Sequence, residues 1–551
     1  MNKHSILRGA LPRRTALALA LGLGVTGLAM GQATTGSIFG QVPAGSADSV
    51  MIKNTSGLTR QVSVDASGRY NADALPLGTY TVTLQHDGQT VDSRSNVTLR
   101  VGSGTEVSFG SANAKNLSAV TVTANSLPTI DVTGVDSRTV ITSQQLATLP
   151  LGRSAEAIAL LAPGVTEGSA YFSGPLGGAL VSFGGSSVTE NAYYVNGFNT
   201  TDPLSGLGGI SLPYGAIDQQ EILSGGYGAA YGRSDGGVIS QVGKRGTNEW
   251  HFGGQIEWTP DDLKGDPKNY YYVNKDGSQG KLRQYRKDSK SWTTTVDAYV
   301  GGPLIKDKLF LFAAVEAERR QGQSVGSNAS PYDTHYRYDN PKWYAKVDWN
   351  INDSNILEVT GASTKSSYQG VLNTFDYANL KEGGFNSNDT HTKNGADVYL
   401  AKYTSYITDD LTVTALYGKM KGTYYSETPG YDPTYPYLYD RTYQDPGVPG
   451  YGNQNNQTTS TINLPGHSST STNLRIDLSY RLGDHTLTAG IDNVDMKNIE
   501  GGTKFPDAGL GYGWKYYEPV TDAAGNPDPS LYIKGGPGSA PAGADWHNSP
   551  W

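Results

Sequence analysis

From Trp250 onward, apolar and polar residues take turns along the chain. Trp250, Phe252, Gly254, Ile256 and Trp258 alternate with His251, Gly253, Gln255 and Glu257. Trp343, Ala345, Val347 and Trp349 alternate with Tyr344, Lys346, Asp348 and Asn350. Leu474, Ile476, Leu478, Tyr480 and Leu482 alternate with Arg475, Asp477, Ser479 and Arg481. Successive side chains of a strand point to opposite faces, so each run predicts a strand with one apolar and one polar face. A soluble sandwich shares that period with a membrane barrel, and loop lengths separate the two. Short polar turns at Lys306-Asp307-Lys308, Asn352-Asp353-Ser354, Asp409-Asp410 and Gly483-Asp484 alternate with long loops over roughly 259–290, 320–340, 364–394 and 422–472. That asymmetry predicts part of an antiparallel transmembrane β-barrel over 250–551. Strands flanking the four turns, one at 250–258 and one near 511–518 make about ten. The end, Asp545 to Trp551, carries Pro550 and no alternation, and does not read as a closing strand.

The same period appears near the start. Gly36, Ile38, Gly40 and Val42 alternate with polar residues, and so do Tyr80, Val82 and Leu84. Between them, Asp65-Ala66-Ser67-Gly68-Arg69-Tyr70 and Leu75-Pro76 with Gly78 read as turns. Several short strands over 34–110 predict a small β-sandwich. Residues 1–33 read as a secretory signal peptide. Arg8, Arg13 and Arg14 form its charged region, Thr15 to Met30 its apolar one, and cleavage falls before Gln32. Arg13-Arg14 hints at twin-arginine export, with a general secretory signal the better reading. Residues 125–249 are glycine-rich, with a short helical stretch between Leu149-Pro150-Leu151-Gly152-Arg153 and Leu160-Leu161-Ala162-Pro163-Gly164-Val165. The fold class is therefore mainly β: a transthyretin-like β-sandwich, an α+β domain, then part of a barrel.

Composition narrows the chemistry. The chain holds 70 glycines in 551 residues, close to twice the average share of roughly 7%. Its 36 tyrosines against 11 phenylalanines suit β-surfaces and membrane interfaces, where one end of the ring is wet. Net charge is −8 with no basic block, which leaves nucleic-acid binding without a footing. With no cysteine, disulfides, thiol chemistry and cysteine-ligated zinc are excluded. None of the eight histidines opens H-x-x-E or H-E-x-x-H, so no catalytic, cofactor or metal site is expected. Two motif matches lack their context. Gly22, Gly24 and Gly27 spell a dinucleotide-type pattern inside the signal segment, with no strand before it. Gly232-Arg233-Ser234-Asp235-Gly236 fits the nucleophile elbow G-x-S-x-G, but a glycine and the β-prone Val238-Ile239 follow it.

The stretch running from Tyr193-Tyr194-Val195-Asn196-Gly197, through Gly225-Gly226-Tyr227-Gly228-Ala229-Ala230-Tyr231-Gly232-Arg233, to Gly243-Lys244-Arg245-Gly246-Thr247-Asn248 resembles the end of the plug domain of TonB-dependent outer-membrane transporters, most closely the OmpA-related (Oar-like) branch. The segment from Gly301 to Phe310 resembles the first periplasmic hairpin of that branch. The 34–110 sandwich resembles the non-catalytic carboxypeptidase regulatory-like domain, which has a carbohydrate-binding-like fold. Ala230 departs from the pattern, standing where an acidic residue usually precedes Tyr-Gly-Arg. If that acid pairs with a barrel arginine in relatives, the contact is missing here.

The resemblance implies a receptor in the Gram-negative outer membrane with its N-terminal domain in the periplasm. It implies a TonB box within the 111–124 linker, at Leu117, Ser118, Ala119, Val120, Thr121, Val122, Thr123 and Ala124. Such a box is extended and pairs as an added strand with the inner-membrane-anchored TonB protein; composition alone reads the segment equally as a linker or edge strand. Arg233, Lys244 and Arg245 are the candidates to meet carboxylates on the barrel wall, against the plain reading of solvated charges. Tyr431, Tyr435, Tyr437, Tyr439 and Tyr443 are a candidate ligand loop or ordinary loop packing. The implied partners are TonB, outer-membrane lipid and an extracellular ligand, with siderophore, glycan, peptide and protein all open. The alternative function is an outer-membrane-anchored structural or adhesive surface protein. About ten strands fall short of the roughly 22 with which the resembled family closes, so the chain reads as C-terminally incomplete.

Overall fold

The computed structural model describes residues 34–110 (except 44 and 46), 136–440 (except 170, 175–178, 233 and 274–276), 467–499 (except 484), and 457, 459, 461–462, 506–509, 512–516 and 546–550. The expected signal segment and the 117–124 segment lie outside the described residues.

The N-terminal alternation folds as two facing sheets. Arg69–Pro76, Thr35–Gln41 and Gly104–Glu106 form one; Thr59–Ser63, Ser49–Asn54, Thr79–His86 and Gln89–Thr98 form the other. Ile38, Val50, Ile52, Val62, Tyr80 and Val82 fill the space between them and are almost fully buried. The turn at Asp65 is closed by its own carboxylate, whose Oδ1 accepts from the amides of Ser67 and Arg69 at 2.8 Å each. Gly68 takes the left-handed backbone this turn requires.

The next body is a five-stranded sheet in the order Phe198–Asn199, Ala192–Val195, Val238–Gly243, Ile217–Gly225, Ser137–Thr142. Its central strand, Val238–Gly243, is buried along its whole length. It pairs parallel with Ala192–Val195 and antiparallel with Ile217–Gly225. Two short helices cover the sheet. Ser143–Leu146 starts from a capping box between Thr142 and Gln145, and Ala155–Ala159 is capped by the Ser154 hydroxyl.

The rest is a single curved antiparallel wall, whose strands we number β1 (His251–Thr259), β2 (Lys290–Ile305), β3 (Leu309–Val325), β4 (Tyr332–Asn352), β5 (Asn355–Asp376), β6 (Lys381–Asn388), β7 (His391–Tyr406), β8 (Leu411–Glu427), β9 (Ser468–Leu482) and β10 (His485–Ile499). Each pairs with the next, except that β7 follows β5 along the wall and β6 pairs with the far end of β5. The alternation holds. Phe252, Ile256 and Trp258 point outward, exposed, while Tyr344, Lys346 and Asp348 point inward and are buried against the plug sheet.

Three expectations are corrected. The stretches 320–340 and 364–394 are paired strand rather than loop: β3 and β4 register continuously from Leu309↔Trp349 to Val325↔Asp333. A membrane needs about 9–11 residues per strand, and β5 has 22. Its outer half therefore projects beyond the apolar band, where both faces are wet and the apolar period that reveals a strand disappears. The strand predicted near 511–518 does form, as Tyr512–Tyr516, but pairs with Leu438–Asp440 and Trp546–Pro550 in a separate sheet. The chain end, which did not read as a strand, therefore supplies one, though not to the wall.

The sandwich sits against the short-turn end of the wall. Asn350 donates to the Ser56 carbonyl at 2.8 Å, and the Ser63 hydroxyl meets Asp409 at 3.1 Å. The Arg60 guanidinium lies 4.0 Å from the Tyr406 ring centroid, and Leu58 packs with Ile356 and Tyr406.

Candidate functional site at the plug–wall interface

The 136–245 body is held inside the wall by a shared apolar cluster and two sets of charges. Phe198, Ile210 and Leu212 pack in one cluster with Phe312, Ala314, Tyr344, Leu400, Leu416 and Met420 of the wall. The last plug strand reaches the wall closely. A Cβ on Gly243 would lie 2.3 Å from atoms of the Tyr344 ring, so only glycine fits without a shift. Beside it, Asn196 occupies a left-handed turn with φ of 48°, which an asparagine tolerates better than most residues. Its amide donates to the Tyr344 hydroxyl and to Thr360, each at 3.1 Å, and its oxygen accepts from the Gly243 amide at 2.9 Å.

The first charge set centres on Arg153, in the link between the two helices. Its guanidinium reaches Glu257 of β1 at 3.3 Å, Asp297 of β2, and Glu316 of β3 at 3.1 Å. It also lies 4.7 Å from the Tyr214 ring centroid. Glu316, fully buried, accepts from the Tyr214 amide at 2.9 Å and from Lys342 at 2.8 Å. The second set centres on Glu358 of β5. Arg245, just past the last plug strand, meets it at 2.5 Å and Asp348 of β4 at 2.8 Å. Lys346 meets Glu358 at 2.7 Å, and Lys402 of β7 meets it at 2.8 Å. Glu257 is half exposed; the other charges are buried, and persist because each is paired and hydrogen-bonded.

Of the sequence candidates, Arg245 meets wall carboxylates. Lys244 differs from the expectation: its ammonium lies over the Tyr299 ring of β2, 5.2 Å from the centroid. Burial pulls its pKa down, with Asp218 and Asp297 opposing that shift. Arg233 lies outside the described residues. Arg475 of β9 donates to the Ala230 carbonyl at 3.3 Å and takes its carboxylate from Asp477 two residues on, at 2.6 Å. Arg153, Asn196, Glu316, Asp348, Glu358 and Lys402 were not named as site residues. Arg153 and Asn196 stood inside motifs already noted, and Asp348 on the polar side of an alternating run, but no local signal joins them.

Within the plug, Arg138 on the edge strand pairs with Asp136 at 2.6 Å and with the fully buried Glu221 at 3.2 Å. The Glu221 carboxyl is pushed up to about 7 by burial, against the pull of Arg138. Ser234, of the elbow-like motif, follows a 3-10 turn (Ala229–Tyr231) and precedes a strand, the reverse of what an elbow needs. Its hydroxyl contacts the Glu190 and Gly237 carbonyls and the Tyr227 hydroxyl. At the long-strand end, Tyr431 lines a cavity of about 720 Å³ with Trp292, His335, Arg337 and His391. Tyr435 is partly exposed, and the Tyr437 amide donates to the Pro506 carbonyl. Tyr439 lies in the strand paired with Tyr512–Tyr516, and Tyr443 is outside the described residues.

Comparison with known proteins agrees with this layout. Residues 43–112 match the carboxypeptidase regulatory-like domain, and residues 132–239 match the TonB-dependent receptor plug domain. The chain is homologous, at 30% identity over 279 residues, to the TonB-dependent transporter Oar of Myxococcus xanthus; the match covers 49% of this chain and 25% of that protein. Among solved structures, the outer membrane transporter YddB from Escherichia coli is similar over 71% of this chain and 51% of its own, at 16% identity and a TM-score of 0.49. The ferric enterobactin receptor PfeA of Pseudomonas aeruginosa, in a mutant form, is similar over 67% and 58%, at 12% identity and a TM-score of 0.36. The chain thus spans about a quarter of the curated relative and about half of these solved chains. It carries a regulatory-like sandwich followed by a TonB-dependent receptor plug.

Proposed function

We propose that this chain acts in a TonB-dependent outer-membrane receptor, taking up an extracellular ligand while the plug gates the barrel. The observation that carries the reading is the seating of the plug on the wall by buried ion pairs and hydrogen bonds. Arg153 and Arg245 alone touch five wall carboxylate contacts across β1 to β5. Polar contacts of this kind are satisfied when the plug is seated and are re-satisfied by water when it moves, so a pulled plug can part from the wall and return. An apolar outward face and a polar inner one fit a wall in the outer membrane, and short turns on one side with long strands on the other support the sandwich and the turns lying on the periplasmic side. Among the described residues no helix is long and apolar enough to cross a membrane.

Coupling to TonB runs through residues 117–124, which precede the plug edge strand Ser137–Thr142. Pairing with TonB by strand addition requires this segment to be extended, with its backbone N–H groups available. The ligand arrives at the long-strand end, where the aromatic cavity with Tyr431 lies. Val120→Pro removes a donor and fixes φ, and blocks strand addition without touching the wall. Cells that display the Val120→Pro protein at normal surface levels are expected to lose ligand accumulation that depends on the proton gradient. Growth on a panel of sole iron or carbon sources supplies the ligand for this assay. Accumulation that survives both the substitution and collapse of the gradient would favour the adhesive or structural alternative.

A further inference from the structure

We infer that Asp333, His335 and Glu382 form a binding site for a divalent transition cation of the zinc class. Asp333 and His335 lie two residues apart on β4, on one face. Glu382 comes from β6, across β5, 47 residues from His335. One ligand atom from each of the three lies within 4.8 Å of the others. His335 Nε2 and Glu382 Oε1 are 2.9 Å apart. Two ligands held at about 2.1 Å from one ion at the tetrahedral angle are about 3.4 Å apart, so this hydrogen-bonded pair opens by only about 0.5 Å to share one.

A second observation is independent of that grouping. Asp333 is fully buried, and its Oδ1 has no hydrogen-bond partner. A buried carboxylate oxygen with nothing to accept from is costly, and a cation shared with His335 and Glu382 supplies what it lacks. The other oxygen, Oδ2, accepts from Gln323 Nε2 at 2.6 Å, which fixes the carboxylate orientation. Asn373, opposite Asp333 on β5, donates through Nδ2 to Glu382 Oε1. Both acidic ligands are thus held by neighbouring amides, the supporting arrangement metal carboxylates use.

The donor set selects the ion. Calcium and magnesium favour all-oxygen shells, whereas one imidazole with two carboxylates suits zinc and its first-row neighbours. His335 and Glu382 are partly exposed, so the ion enters from solvent and keeps open positions for water. Because Glu382 is the contribution of β6, a bound ion ties that strand to β4. No local motif announces this site, since two of its strands meet only after the wall has formed.

The test is titration of the full chain, purified in detergent and stripped with chelator, with Zn²⁺ by calorimetry. One Zn²⁺ per chain is expected. Binding at least about tenfold weaker is expected in Asp333→Asn, His335→Gln and Glu382→Gln. His86→Gln, which alters the His86–Asp48 pair of the sandwich, is expected to leave the titration unchanged. Co²⁺ in place of Zn²⁺ should give a visible absorption band that His335→Gln removes. The His335 side chain is partly exposed, so that variant folds even if Asp333→Asn does not. Zinc binding that is absent from the parent, or equal in the parent and His335→Gln, overturns the site. Equally strong Ca²⁺ binding that ignores His335→Gln overturns the choice of ion.

Discussion

Replacing Glu358 with glutamine and Arg245 with methionine removes charge from opposite sides of one cluster, and the two changes leave different remainders. In the parent, Arg245, Lys346 and Lys402 surround Glu358 at 2.5, 2.7 and 2.8 Å, and Asp348 meets Arg245 and Lys346 at 2.8 and 3.3 Å. Arg245→Met leaves two lysines facing two carboxylates, a balanced set. Glu358→Gln leaves three cations with Asp348 alone. Breaking a buried pair so that a charge is stranded costs about 3–5 kcal/mol, the range expected for Glu358→Gln. With the lysines still in place, Arg245→Met should cost about 1–3 kcal/mol. A gap of about 2 kcal/mol is about a 30-fold difference in the population of the unseated plug. The chain has no cysteine, so Thr360→Cys adds the sole thiol, at a position buried beneath Asn196. In that background, the urea concentration at half-labelling by a maleimide reports unseating. The midpoint should fall from parent to Arg245→Met and further to Glu358→Gln. Equal midpoints for the two variants, or a lower one for Arg245→Met, would refute the charge-balance argument.

Two further predictions concern the plug. Burial raises Glu221 to about 7, well above its unfolded value of about 4.3, so the folded plug holds a proton that the unfolded chain has lost. Plug stability should therefore fall as pH rises from about 4.3 to about 7, and level off above. Glu221→Gln should flatten that slope in urea melts taken across this window, and an unchanged slope would point to another group. Gly243→Ala places a methyl group 2.3 Å from the Tyr344 ring and should cost about 1–3 kcal/mol by overpacking. The same labelling midpoint measures it, and a neutral result would mean that the strand end shifts freely.

Much of the fold was legible because strand alternation and turn chemistry are local. Tyr344, Lys346 and Asp348 read as one polar face, and all three point inward, buried. Asp65 and Gly68 marked a turn that closes as expected. The projecting halves of β3, β4 and β5 were read as loops because their two faces are both solvated there. The Tyr512–Tyr516 strand was recognised as a strand, but its partners are as distant as Trp546–Pro550, and no spacing rule assigns them. Lys244 was grouped with Arg245 on charge alone, whereas the next wall group it meets is an aromatic ring.

By itself, then, the sequence determined the order of sandwich, plug and wall, the position of the short turns, and which face of three wall strands is polar. These follow from backbone periodicity and from the few residue types that turn a chain. Only the tertiary structure decided which charges meet. Arg153 finds Glu316 across 163 residues and Glu257 across 104. Those partners are fixed by how the plug rotates and seats inside the wall, a result of packing Phe198, Phe312, Tyr344 and Leu416 into one core. The same holds for Asp333, His335 and Glu382, whose proximity depends on the register of three strands at once. Residues on separate strands carry no shared period, so their meeting is a property of the packed molecule.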